Sequence, residues 1–217
     1  MGLGGRLSQE HAVSDWKALS LRQPWLWMVL HGKAVENRRR NLGLPRLPFL
    51  LHASSTMTGG DVYEALVFVG ERGLGDWRHR ALEEPLAEHW HRTLAERGRR
   101  HLGGFCGVAR AIGILAPDAL PVRPNVGLPL LRYELGVGDP PYRHNEAIVT
   151  ERGTLHRPTI EHRFDLRWWD REQWGYLLAD VKALSFVEGK GALGFFKVPP
   201  EVVEKLGLPR RPEDYAP

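Results

Sequence analysis

Lys33, Glu36 and Arg38 lie together in Lys33-Ala34-Val35-Glu36-Asn37-Arg38, just behind Ser20-Leu21-Arg22-Gln23-Pro24-Trp25-Leu26-Trp27. Burying unpaired charge is costly, so a segment with only a packing task does not interleave strong charge with large aromatics this densely. A compact ammonium such as Lys33 can place positive charge on a phosphate or on a developing oxyanion. To act as a base it would need a pKa lowered by burial, which a nearby Glu36 opposes by favouring the protonated form. The electrostatic role is therefore preferred for Lys33. Glu36 can accept from an exocyclic amine, as acidic side chains do with cytosine, or serve as general base for water or a ribose hydroxyl. Lys33 and Glu36 are the candidate catalytic pair. The competing reading is a purely structural ion-pair network of Lys33, Glu36 and Arg38.

Arg22 and Arg38 flank this pair and could bind phosphate in the planar, bidentate manner of a guanidinium, or simply orient Glu36. Trp25 opens a predicted helix, where its indole could stack on an unpaired base; a half-buried core position is the alternative. Ser54 follows a predicted strand as a candidate ligand-binding hydroxyl. Arg22, Gln23, Trp25, Arg38, Arg39 and Ser54 are the candidate nucleic-acid contacts. His52 could be catalytic, although a hydrogen-bonded strand histidine is the commoner outcome. For Trp27 a core position is the stronger reading.

Several other signals are set aside. Gly189-Lys190-Gly191-Ala192-Leu193-Gly194 matches a dinucleotide fingerprint by letter, but the residues after it continue as a strand rather than the required helix. His89 and His91 are two apart, so on a helix they point in different directions and do not share a metal. Cys106 sits among glycines in an apolar strand and reads as a small buried hydrophobe. Trp168-Trp169 reads as a barrel cap, or as an aromatic platform at the mouth of a cleft.

The elements that must position these residues can be traced from periodicity. Residues 18–22 predict a strand, after which Pro24 occupies the first turn of a helix that Gly32 stops. Residues 33–38 can be extended, with Glu36 and Arg38 on one face and Val35 and Asn37 on the other. Residues 47–53 predict a buried strand. Val62, Leu66 and Val69, and then Leu82, Leu86, Trp90 and Leu94, recur at helical spacing and predict two helices within 58–101. Residues 103–115, 161–166, 174–184 and 192–198 return to strand character, and 201–206 predict a short closing helix. Strands with inserted helices, instead of strict alternation, argue for a small mixed barrel over a doubly wound fold.

Composition sets the outer bounds. The 217 residues suffice for one large domain or two small ones, and 42% apolar with 26% charged residues describes a globular chain rather than a disordered one. The formal charge of +4 is carried largely by arginine runs such as Arg38-Arg39-Arg40, which mildly favours a polyanionic partner. One cysteine excludes an internal disulfide, and no Cys-x-x-Cys or His-Glu-x-x-His spacing offers a zinc site, so neither metal nor cofactor is expected. No apolar run reaches the roughly 20 residues that span a bilayer, and the N-terminus lacks the apolar core of a secretion signal. Cytoplasmic residence is the expectation, with no membrane partner.

Taken together, Leu19-Ser20-Leu21-Arg22-Gln23-Pro24-Trp25, Lys33-x-x-Glu36-x-Arg38, Leu51-His52-Ala53-Ser54, Gly107-Val108-Ala109 and the run from Trp174 to Val181 resemble the ASCH domain family. The resemblance covers most of the chain. It implies an α+β, PUA-like mixed β-barrel with flanking and inserted helices, spanning 15–206 as a single domain. A disordered N-terminal tail (1–14) and a C-terminal tail (207–217) would flank it. A helical insertion at about 58–101 would interrupt it, as would an irregular excursion at about 116–162 on which the resemblance is silent and whose Pro- and Gly-rich composition reads as a lid or partner surface. The resemblance further implies binding of RNA, DNA, a nucleotide or a modified nucleoside in a cleft between barrel and helices. Some relatives are ribonucleases or modified-cytidine amidohydrolases, which makes a hydrolase using Lys33 and Glu36 the alternative.

Overall fold

A computed structural model describes residues 14–74, 90–117, 131–132, 146–150 and 161–216. Strand β1 (Lys17–Leu21) leads through an N-cap at Pro24 into helix α1 (Trp25–Leu30). Gly32, at φ +104°, then turns the chain into β2 (Val35–Arg38), through a conformation that a side chain would disfavour. β3 (Phe49–Ala53), helices α2 (Gly59–Glu71) and α3 (Trp90–Arg99), and the long β4 (Gly104–Leu115) follow. Next come β5 (Leu131–Arg132), β6 (Glu146–Thr150) and β7 (Glu161–Asp165). The 15-residue β8 (Trp174–Glu188), then β9 (Phe195–Lys197) and α4 (Pro200–Lys205), complete the order.

Six strands form one sheet in the order β2-β8-β4-β3-β1-β9, with β1 and β3 parallel and the other pairs antiparallel. The β4–β8 register shifts three times, and such bulges bend strands and strengthen their twist. The result is a curled half-barrel. Its curl brings β2, at one edge of the sheet, back towards β1: Arg38 Nη2 donates to the Ser20 carbonyl at 2.6 Å. β9 pairs only with Lys17, Ala18 and Leu19, so this contact falls just beyond the end of that pairing.

Both faces of the sheet are covered, and all five residues of β3 are accordingly buried. On one face Val62, Ala65 and Val69 of α2 pack with Trp27, Met28, Trp168, Trp169 and Leu177. That is the one-stripe burial expected of an amphipathic helix, with Leu66 at the margin of the stripe. Thr58 and Asp61 start α2 with a reciprocal capping box. On another face Trp16, Val198, Val202 and Val203 pack with Leu50, Phe105 and Val108.

Two boundaries differ from those expected. The segment 116–162 is not wholly irregular: β5 and β6 lie within it, β5 pairing with β6 and β6 with β7 in a separate antiparallel sheet. The β-branched run Ile148-Val149-Thr150 carries that strand, while the Pro and Gly content around it obscured its short pattern. Residues 207–216 are docked rather than a tail. The Trp16 indole Nε1 donates to the Pro209 carbonyl at 2.7 Å, Tyr215 meets the Trp16 ring edge-on at 5.8 Å, and Pro212 is buried. At the other end, Ser14 Oγ accepts from the Trp16 N–H. The remainder of the expected N-terminal tail, and the helical positions Leu82 and Leu86, lie outside the described residues. No helix among the described residues is long and apolar enough to cross a membrane.

Trp16 is fully buried, so Trp16→Ala is expected to cost about 3–5 kcal/mol in urea unfolding. Removal of 207–217 should also lower stability measurably, whereas an undocked tail would leave the unfolding midpoint unchanged.

Candidate functional site

Lys33 leaves α1 with its N–H donating to the Met28 carbonyl at 2.9 Å, and its side chain turns inward until only 1% of it is exposed. β2 lies antiparallel to β8, Glu36 opposite Tyr176 and Arg38 opposite Trp174. The period of the strand puts Glu36 and Arg38 on the same side. Lys33 Nζ donates to Glu36 Oε2 at 2.8 Å. The other carboxylate oxygen, Oε1, lies 3.1 Å from Arg38 Nε, but that buried N–H is not directed along the line between them. Arg38 therefore attracts Glu36 by charge, while its directed hydrogen bond goes to the Ser20 carbonyl.

Burial lowers the Lys33 pKa below its ordinary value, and the nearby Arg38 charge adds to the shift. The Glu36 charge and hydrogen bond push the other way without restoring it. Desolvation thus outweighs the neighbour that the sequence set against it.

Above this pair lies a cavity of about 170 Å³, lined by Trp25, Lys33, Glu36, Asn37, Phe68 and Gln173, with Glu64 and Asp170 at its wall. Lys33 Nζ lies 5.6 Å from the centre of the Trp25 ring, within cation–π range, and Phe68 meets Trp25 edge-on at 5.4 Å. Asn37 is held at both ends of its amide: Nδ2 donates to the Trp168 carbonyl at 2.8 Å, and Oδ1 accepts from the Asp170 N–H at 2.9 Å. Gln173 is tied to Asp170 at 2.7 Å. Both Glu36 oxygens face protein cations, so the ammonium or amine of Lys33 and the rigid amides offer the polar contacts, and Trp25 offers an aromatic face.

Of the residues expected at the site, the structure brings Lys33, Glu36 and Trp25 together and keeps Arg38 behind Glu36. Gln23 is a structural clamp instead: Oε1 accepts from the Trp27 N–H at 3.0 Å and Nε2 donates to the His101 carbonyl at 3.1 Å. Arg22 is largely exposed and pairs with Asp61 at 3.1 Å, a contact that helps hold the Asp61 carboxyl below its usual range against the effect of burial. Arg39 is exposed. Ser54 does not line this cavity: its Oγ donates to the Thr56 carbonyl, and it borders a separate pocket with Ser20 and His52. Asn37, Phe68, Asp170 and Gln173 were missed, since they come from three distant stretches that only the folded chain unites. Trp168 and Trp169 are core residues, buried against α2 and α1. Cys106 is buried, which pushes its thiol up to about 12 and leaves it no nucleophile. Among the described residues, no group of three or more His, Cys, Asp or Glu could hold a metal ion.

Glu36→Ala leaves Lys33 buried, and Arg38 half-buried, without their counter-charge and should cost about 3–5 kcal/mol in urea melts. Lys33 loses its proton at lower pH in the folded chain than in the unfolded one, where it titrates near ~10.4. Between those two values the unfolded chain binds more protons, so this residue's contribution makes stability rise with pH. Lys33→Met should remove that rise, read as the difference between wild-type and variant unfolding free energies from neutral to alkaline pH. Compared with protein-family models and with curated proteins, the sequence matches none.

Proposed function

We propose that the half-barrel is a PUA-like barrel of the ASCH kind, and that the chain binds RNA or another nucleic acid by seating an unpaired base, or a modified nucleoside, against Trp25. The observation that carries this reading is the fully buried Lys33 paired to Glu36 at the floor of a small polar cavity with one aromatic wall. A buried ion pair is weak support for stability, because an apolar core of the same shape generally does as well. Its position at the floor of a cavity argues for use on a ligand. The cavity is too small for a duplex and suits one planar polar group. Exposed Arg22 and Arg39 supply the phosphate contacts of this reading, and a cytoplasmic location belongs to it.

The second reading is a hydrolase acting on RNA or on a modified cytidine. The lowered Lys33 pKa favours it, because an ammonium that burial makes readier to give up its proton, beside a carboxylate, can take part in proton transfer. In that role Lys33 exchanges a proton with the reacting group, and Glu36 holds Lys33 in place.

The test offers labelled single-stranded RNA, structured RNA and DNA of matched length, together with an N4-acylated cytidine, and reads binding and product in the same samples. Binding should weaken as salt rises, with a log–log slope of about −0.7 per phosphate contacted on a single strand. Trp25→Ala should cost about 1–3 kcal/mol of affinity, the worth of one stacked base. Salt-insensitive or absent binding sinks the nucleic-acid reading. Product that disappears in Lys33→Ala protein with a native circular dichroism spectrum selects the hydrolase.

A further inference from the structure

A second pocket, of about 610 Å³, opens where β1 and β3 end beneath the loop 189–194. Ser20 and His52 occupy paired positions on these parallel strands, and Ser20 Oγ lies 3.0 Å from His52 Nδ1. On the far side of the ring, His52 Nε2 lies 3.0 Å from the Gly189 carbonyl. A carbonyl oxygen only accepts, so Nε2 carries the proton and Nδ1 presents its lone pair. The Ser20 hydroxyl is then the donor of the bond to Nδ1.

We propose that Ser20 is the nucleophile of a second site, with His52 as its general base, acting on an acyl ester of a small polar alcohol. A serine hydroxyl bonded to an imidazole that a third group orients is the arrangement that activates a serine. Phe105 and Phe196 fix the ring edge-on, at 4.9 and 5.7 Å, and burial keeps the imidazole neutral by lowering its pKa, the Gly189 bond opposing in part. Ser20 itself is half-buried and borders the pocket.

The loop crosses the pair so closely that a Cβ on Gly191 would meet the His52 ring and would lie 2.6 Å from Ser20 Oγ. Only glycine lets backbone lie there. Lys190 and Gly191 line the pocket beside the pair, and the proposal assigns their backbone N–H groups to the oxyanion. Ser55, Glu188 and Lys190 give the pocket a polar wall for the alcohol portion.

Ser20 Oγ forms a bond to the acyl carbon as its proton passes to His52 Nδ1. The ester C–O bond then breaks, and the leaving alkoxide takes that proton. Water attacks the acyl-Ser20 through the same imidazole, releasing the carboxylic acid and restoring the hydroxyl. The step uses neither Lys33 nor Glu36, so it stands apart from the nucleic-acid reading.

The full-length protein is treated with a fluorophosphonate probe and with p-nitrophenyl acetate, and the adduct is mapped by peptide mass spectrometry. The expected result is an adduct on Ser20, with His52→Gln lowering its rate of formation at least about 100-fold while the protein stays folded. Gly191→Ala should also suppress it. No adduct at Ser20 in wild-type protein, or an adduct rate unchanged in folded His52→Gln, overturns the proposal and leaves the pair a stitch between β1 and β3. If His52→Gln fails to fold, mapping of the wild-type adduct decides alone.

Discussion

Curling an open sheet until its ends approach creates a seam, and in this protein one run of charge spans it. Lys33 is bonded to Glu36, Glu36 attracts Arg38, and Arg38 donates to the carbonyl of Ser20, which joins β2 to β1 although the two are not neighbours in the sheet. The backbone of β1 beyond its pairing with β9 would otherwise present an unmatched acceptor inside the structure, which is costly. A guanidinium suits this junction because its permanent charge attracts the carboxylate while one of its N–H donors serves the carbonyl.

The same seam sets the chemistry of the candidate site. Glu36 draws two cations inward, and the compact ammonium of Lys33 ends in a volume where water scarcely reaches it. Desolvation and charge pairing then act on Lys33 in opposite directions, and desolvation is the larger. A solvated lysine beside a glutamate would keep its proton firmly. The fold therefore converts a common ion pair into a group that can give up a proton at lower pH, directly under an aromatic wall.

Ser20 is bonded towards both sites, although it lines only the second pocket. Its carbonyl receives Arg38 from the Lys33 side, and its hydroxyl engages His52 on the other. Around them the rigid parts are apolar: Phe105 and Phe196 hold the imidazole, while Phe68 holds Trp25. Asn37, held at both ends of its amide by backbone groups, fixes the loop that carries Asp170 and Gln173 to the cavity edge.

Much of this was legible in the chain. Strand and helix positions followed from the spacing of apolar residues and from Pro24 and Gly32, and the shared face of Glu36 and Arg38 followed from strand period, whereas the bond from Lys33 to Glu36 comes from the fold. Gln23 and Ser54 were read as ligand contacts, yet Gln23 clamps α1 and Ser54 faces the other pocket, because a polar residue's role depends on which backbone groups the fold leaves beside it. β6 was hidden by the Pro and Gly around it, and the docking of 207–216 depends on Trp16, nearly two hundred residues away. Local periodicity and composition thus determined the elements and the cluster of charge. Only the tertiary structure decided that Lys33 would be dry, that Asn37, Phe68, Asp170 and Gln173 would join it, and that Ser20 would meet His52, since burial and the meeting of distant residues arise only when the sheet curls and its faces are covered.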